Sequence, residues 1–373
     1  LSDTPSVFAA PVILFGFNRP DYLRRVCLSL RAQRRRVVED RQVWLVQDGA
    51  VSPRSGVRYA EDAAIAASVT AFREVFPGGQ MLEAQGQNFG IAENIRRGED
   101  LAFQALGAEW ALFLEDDLEL GPDYLEVIER IAELAAPFPQ VGYFAAYGDH
   151  RLAEPPTRIG WQPLEHNWGF ALRRAAWARI RPLLEPYHAI LARTDYRYRL
   201  EAQIHEWQGR LAHASDRSSQ DAMKAVACAE LGIARVMTNA VFARYIGAEG
   251  ASFNPRKFAE LGYDRTAVVT LDSLDFAPLD EAVVAGLVGR EQARLAAFRR
   301  ERFDGFLASM QARFFDPRRT PSREDVEGLY RLLLDRLPEN EQVYEHAMGR
   351  HSLASLRRAI MNSNEFRGRN PAR

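Results

Sequence analysis

Leu112-Phe113-Leu114-Glu115-Asp116-Asp117-Leu118-Glu119-Leu120 is the stretch that decides the fold of this chain. Three apolar residues, continuous with Trp110 and Ala111, run directly into three carboxylates. A short apolar run of this kind predicts a fully buried strand of a parallel sheet. The acids then fall at the strand's C-terminal end, where open α/β sheets collect their ligands. Adjacent carboxylates repel one another, so a positive charge has to sit among them. A hard divalent cation, Mg²⁺ or Mn²⁺, with oxygen ligands and bridged to a diphosphate, meets that need. A solvated acidic turn is the plainer alternative at this point.

Working outward, Pro11-Val12-Ile13-Leu14-Phe15-Gly16-Phe17 predicts the first buried strand, broken at Asn18-Arg19-Pro20-Asp21. A helix follows with Leu23, Val26, Cys27 and Leu30 on one face. The basic run from Arg31 to Arg36 reads as a solvated helix end. Val43-Trp44-Leu45-Val46 is the second strand and closes at Gln47-Asp48-Gly49. A helical pattern from Ala60 to Phe76 leads to a short strand at Met81-Leu82-Glu83. The turn Gln87-Asn88-Phe89-Gly90 then opens a helix from Ile91 to Ala105. After the acid-ended strand come a helix near Pro122 and a strand from Val141 to Tyr147. This β-α alternation predicts a mostly parallel sheet with helices on both faces. Asn18 and Arg19, Gln47 and Asp48, and the acid triplet all follow strands, so three elements aim their polar residues at one edge.

At 373 residues with a net charge of -2, the chain is long enough for two domains and gives no reason to expect nucleic acid as a partner. Cys27 and Cys228 stand in unrelated contexts, which favours a reducing, cytoplasmic compartment, with a peripheral place at the inner membrane as the alternative. No apolar run nears the roughly 20 residues of a membrane span. No signal-peptide pattern is read, and the absent initiator Met suggests a trimmed start. Glycine-rich phosphate loops and a Gly-x-Ser-x-Gly elbow are also missing, so a nucleotide would be held by side chains and a metal.

Phe113 to Tyr124 resembles the acidic motif of inverting glycosyltransferases of the GT-A (Rossmann-like) fold, broadly glycosyltransferase 2-like. The closest likeness is to the N-acetylglucosaminyltransferase I group, whose DxD motif has the form Glu-Asp-Asp. Val46-Gln47-Asp48-Gly49, Asn18-Arg19 and Trp168-Gly169-Phe170 with Trp177 are similar to further segments of that group. So is the run from Ala243 to Gly247 with Gly250-Ala251-Ser252-Phe253-Asn254. The resemblance implies a metal ligand at Asp117, with Mn²⁺ or Mg²⁺ bridging a donor diphosphate. It places Asp116 at the ribose and Glu115 at the sugar or nucleotide edge. Asp48 would accept from the base, favouring a UDP-linked donor, with Arg19 and Phe17 on the same side. Asn88 is a further donor contact, and Trp168 and Gly169 lie toward the acceptor. Asp48 as the acid of an Asp-Gly turn, Arg19 as a local ion-pair partner and Asn88 as a turn residue remain the structural alternatives.

Inverting transfer also needs a general base for the acceptor hydroxyl. The resemblance puts that base downstream of the triplet, and Asp221 in Ser218-Ser219-Gln220-Asp221 is the candidate, ahead of Asp216. The same residues fit an ordinary helix cap. They depart from the group's pattern of paired acids flanked by Trp, which bears on the acceptor class. Thr194 to Ser219 reads either as an acceptor lid or as an exposed helical insertion.

From Leu279 the chain becomes helical and charged, with an amphipathic helix from Glu291 to Phe314 and a helix start at Ser322-Arg323-Glu324-Asp325. The last fifty or so residues resemble a small helical domain of bacterial surface-glycan proteins, which implies a protein- or glycan-docking role. A helical cap on the catalytic domain is the alternative. The expected organisation is a catalytic domain over 1–278, a helical connector over 279–320 and a small helical domain over 321–373. The expected activity is metal-dependent inverting transfer from a nucleotide-sugar donor, UDP-N-acetylglucosamine being one candidate, to a glycan or glycoconjugate hydroxyl. A sugar-nucleotide nucleotidyltransferase and an inactive glycan-binding scaffold are the competing readings.

Overall fold

The computed structural model describes residues 6–152, 156–249, 254–273 and 275–369, so the Gly250-Ala251-Ser252-Phe253 part of the closing loop lies outside them. The chain forms two compact units, Leu1–Glu301 and Arg302–Arg373.

In the first unit, β1 (Ser6–Val7) precedes β2 (Val12–Gly16), whose five residues are all buried, as a continuous apolar run in a covered sheet requires. Helix α1 (Pro20–Arg31) opens with Pro in its first turn and buries Leu23, Val26, Cys27 and Leu30. Two-residue β3 (Arg36–Val37) pairs in parallel with β1. The basic run from Arg31 to Arg36 keeps Arg31 and Arg34 exposed, as a solvated helix end would, but its arginines are ion-paired. Arg34 pairs with Asp123 and Asp272, and Arg36 with Glu126 and Glu129, so the cluster ties the start of the chain to the helix after the acid triplet. The order continues through β4 (Val43–Gln47), α2 (Asp62–Val75), β5 (Gln80–Glu83) and α3 (Ile91–Asp100), then β6 (Trp110–Glu115) and β7 (Leu118–Leu120). It goes on through α4 (Tyr124–Leu134), β8 (Val141–Ala145), β9 (Arg158–Ile159), β10 (Trp161–Pro163) and β11 (Gly169–Arg173). The unit ends with α5 (Arg174–Leu191), α6 (Glu201–Gln208), α7 (Gln220–Leu231), β12 (Ala234–Thr238), β13 (Ala243–Tyr245), α8 (Pro255–Glu260), β14 (Asp275–Phe276) and α9 (Glu281–Glu301).

Eight strands form the central sheet in the order β10-β12-β8-β11-β6-β2-β4-β5. β5, β4, β2 and β6 are mutually parallel, and β12 is parallel to β8. β11 runs antiparallel between β6 and β8, with Gly169 opposite Leu114 and Arg173 opposite Trp110. The fold class is therefore the α/β one expected, a mostly parallel sheet flanked by helices and followed by a helical C-terminal region. The antiparallel intruder was not expected, because a five-residue apolar run carries no mark of its partners. Helix α9 packs on α7, β10 and β12.

The second unit contains α10 (Phe303–Phe315), α11 (Arg323–Leu334), α12 (Glu341–Arg350), α13 (Leu353–Met361) and α14 (Asn364–Arg369). The single helix expected from Glu291 to Phe314 is thus two, interrupted at Arg302 where the units divide. Val326, Leu334, Tyr344, Ala347, Leu356 and Ile360 form its core. Ser322 and Asp325 cap α11 reciprocally, the helix start that the spacing predicts.

Candidate active site

The parallel strands β2, β4 and β6 all end at one edge of the sheet, and each hands a polar residue to it: Arg19, Asp48 and the Glu115-Asp116-Asp117 run. Asp117 is held from both sides. Its carbonyl accepts the Ile246 N–H at 2.8 Å where β7 pairs with β13. At Gly247 an added Cβ would lie 2.7 Å from Asp117 Oδ2 and 2.4 Å from the Tyr245 hydroxyl, so a side chain there would displace both groups.

Asp116 and Asp117 are buried, and the cation among them in this structure is Arg19. Its Nε donates to Asp116 Oδ2 at 3.2 Å, and its Nη2 donates to Asp117 Oδ2 at 2.8 Å and to Asp116 Oδ1. Burial pushes the Asp116 carboxyl up to about 6, with Arg19 opposing and Asp117 adding to the rise. Glu115 is raised well above the carboxylate range, by enclosure first and then by Asp117, Asp221 and Asp116.

Asp221 reaches the triplet from a separate element: it faces the Asn167 main-chain N–H, and the next residue, Trp168, pairs its carbonyl with the Glu115 N–H. Asp221 stands in the first turn of α7, behind the Ser219 cap, and Gln220 Nε2 donates to its Oδ1. Enclosure raises its pKa, while Arg235 and Lys224 hold it down. Glu115 and Asp221 are only half-buried, so enclosed carboxylates still face solvent along this edge. Asp216 is exposed, and its charge bears on His205.

Four groups around Asp221 escaped the sequence reading. Lys224 pairs with the buried Glu99 of α3. Arg235 of β12 donates to Asn167 Oδ1 at 2.9 Å, and the Asn167 main-chain N–H is directed at Asp221. Lys224, one helical turn beyond Asp221, had a local signal. Glu99, Asn167 and Arg235 had none.

Asp48 and Asn88 meet, but in a locked turn. Oδ1 of Asp48 accepts the Gly49 and Phe89 N–H groups at 3.0 and 2.8 Å; Oδ2 accepts Gly90 N–H and Asn88 Nδ2, both at 3.0 Å. Its carboxylate ties the end of β4 to the turn before α3. Asp48→Ala is therefore expected to cost about 2–3 kcal/mol of folding stability by stranding buried donors. Urea unfolding of the variant checks it, and an unchanged midpoint would refute the structural role. Phe17 is half-buried, and its carbonyl accepts Gln47 Nε2 at 2.8 Å.

Trp168 lies beside the triplet, its carbonyl accepting the Glu115 N–H at 2.8 Å. Both of its faces are covered, by His166 at 4.3 Å and Tyr245 at 4.2 Å between ring centres, so it offers a ligand only its edge. Burial lowers the His166 pKa to about 4, leaving the ring neutral at pH 7. Gly169 sits inside the sheet, where a Cβ would lie 2.3 Å from Leu118 Cδ2. The segment from Thr194 to Ser219 is a packed helical insertion: Asp195 accepts from Ser52, Ser55 and Tyr59, and α6 buries Ile204, His205, Trp207 and Gln208.

No family model matches this chain, and no curated protein matches it. Among solved structures it is similar to a crystal structure of S. aureus TarS residues 1–349, at 12% identity and a TM-score of 0.38, covering 99% of this chain and 92% of that one. A crystal structure of S. aureus TarS is similar at 13% identity and a TM-score of 0.37, over 95% of this chain and 55% of that one. A CMP:2-keto-3-deoxy-manno-octonic acid synthetase complexed with CTP is similar at 11% identity and a TM-score of 0.28, over 48% of this chain and 78% of that one. At these identities and scores none assigns an activity.

The fit of a metal can be judged from the donor set. Among the described residues no group of three or more His, Cys, Asp or Glu side chains is arranged around an ion. Asp117 Oδ1, however, is buried and makes no hydrogen bond among the described residues. One free carboxylate oxygen suits a Mg²⁺-like cation that takes its other ligands from phosphates and water. Among the described residues no helix is long and apolar enough to cross a membrane.

Proposed function

We propose that this chain is a metal-dependent, inverting glycosyltransferase of GT-A architecture. It moves a sugar from a nucleotide-diphosphate donor, read as UDP-linked with UDP-N-acetylglucosamine as the first candidate, to a hydroxyl of a glycan or glycoconjugate. One observation carries the reading: Asp221, on α7, faces the Asn167 main-chain N–H, and the next residue, Trp168, accepts the Glu115 N–H at 2.8 Å at the end of β6, where Asp116 and Asp117 follow. A proton acceptor and a charged donor site on separate elements, brought to one sheet edge, is what displacement at an anomeric carbon needs.

Asp221 takes the proton of the acceptor hydroxyl as its oxygen bonds to the anomeric carbon. The bond from that carbon to the phosphate oxygen breaks on the opposite face, and its electrons leave with the nucleoside diphosphate. Enclosure strengthens Asp221 as a base, while Arg235 and Lys224 keep it ionised. A divalent cation held by Asp117 would offset the charge growing on the departing diphosphate. Asp116 and Glu115 face the donor ribose and sugar in this reading, with Phe17 and Arg19 on the same side and the edge of Trp168 toward the acceptor.

Thermal unfolding with UDP, GDP and CDP, each with and without Mn²⁺, tests the proposal. UDP at about a hundredfold excess over its Kd should add about 2.7 kcal/mol of stability, and only with metal present. Indifference to all three nucleotides, with and without Mn²⁺, would overturn the reading.

A further inference from the structure

Arg19 treats its two acidic partners unequally. Asp116 accepts from both Nε and Nη2, whereas Asp117 takes only one bond from Arg19, from Nη2 to Oδ2 at 2.8 Å, and is hydrogen-bonded by Tyr245 as well. The Nη1 contact, to the carbonyl of Glu249, is long at 3.4 Å. The second oxygen of Asp117 is buried without a hydrogen-bond partner among the described residues. The guanidinium is thus anchored on Asp116 and leans on Asp117. It also stacks toward the Tyr22 ring, 5.2 Å from its centre, and stands just before α1, off the acid strand.

We propose that Arg19 is an exchangeable counter-cation, competing with a divalent cation for Asp117 and turning toward the donor diphosphate when cation and nucleotide bind together. This rests on the metal-dependent reading above. A guanidinium and a divalent ion on one carboxylate repel strongly in an enclosed site, so metal alone binds against Arg19. A diphosphate reverses the balance, because its charged oxygens can take over the one guanidinium bond that Asp117 gives up to the ion. Metal and nucleotide then bind cooperatively through Arg19.

The test is Mn²⁺ binding by the full chain, followed by loss of the free-ion electron paramagnetic resonance signal, for wild type, Arg19→Gln, Arg19→Lys and Asp117→Ala, with and without UDP. Without UDP, Arg19→Gln should bind Mn²⁺ about tenfold tighter than wild type, since the competing charge is gone. Arg19→Lys should fall between them, because an ammonium lacks the fork that grips Asp116. Adding UDP should tighten Mn²⁺ binding to wild type by more than to Arg19→Gln. Melting curves of each variant with and without Mn²⁺ give a second readout, Arg19→Gln gaining more from the ion than wild type. If Arg19→Gln does not fold, the Lys variant carries the comparison. Equal Mn²⁺ affinity in wild type and both Arg19 variants, with binding lost in Asp117→Ala, would overturn the competition and leave the metal site standing. No Mn²⁺ binding by any variant, with or without UDP, would overturn the metal-dependent reading as well.

Discussion

Asp221→Asn is expected to lower sugar transfer by about 10²–10⁴-fold while leaving metal-dependent nucleotide binding within about twofold of wild type. The amide keeps the shape of the side chain and its place in the first turn of α7, so Gln220 and the Ser219 cap retain their neighbours. What it loses is the capacity to take a proton. Steady-state kinetics with the donor, and nucleotide binding measured separately, divide the two effects. Turnover near the wild-type rate would remove Asp221 from the base role. The native protein should show the same dependence through pH. Transfer needs the ionised form, so the rate should fall as pH drops through the Asp221 pKa, which enclosure lifts above the ordinary carboxylate value of about 3.9.

Asp117→Ala should have the opposite signature: nucleotide binding no longer responds to Mn²⁺, and transfer is lost with it. Asp117 is buried between the β7–β13 pair and Arg19, and its unpaired Oδ1 is the one oxygen in the triplet that the fit to a metal depends on. Removing it takes away that ligand and one partner of Arg19, which keeps its two bonds to Asp116. Calorimetric titration of UDP with and without Mn²⁺ reads the effect. Unaltered metal dependence in this variant would place the ion elsewhere.

Much of this edge was legible beforehand, because its residues sit where chain direction changes from strand to turn. The apolar runs before Asn18, Gln47 and Glu115 name β2, β4 and β6, and their parallel pairing puts the polar residues after them on one side. Asp221 was singled out only by the resemblance, since its helix-start position fits an ordinary cap equally well. The need for a positive charge among the acids was legible too, but Arg19, 97 residues before Asp116, could be placed there only by the sheet. Asp48 shows the reverse limit: nothing in the sequence after a strand tells that an acid there will accept from four donors of its own fold. The Lys224–Glu99 pair, separated by 125 residues, and the Arg235–Asn167 contact depend wholly on tertiary placement.

The intruding strand β11 has a mechanical consequence. Asn167 and Trp168 lead directly into it, and its ladder runs along β6 from Gly169–Leu114 to Arg173–Trp110. The span between the two halves of the chemistry is therefore gauged by a rung-by-rung backbone scaffold, which can shift only in whole steps. A one-residue slip would turn every inward side chain outward, so that span is stiff, and any accommodation of ligands of different size falls to the surrounding loops.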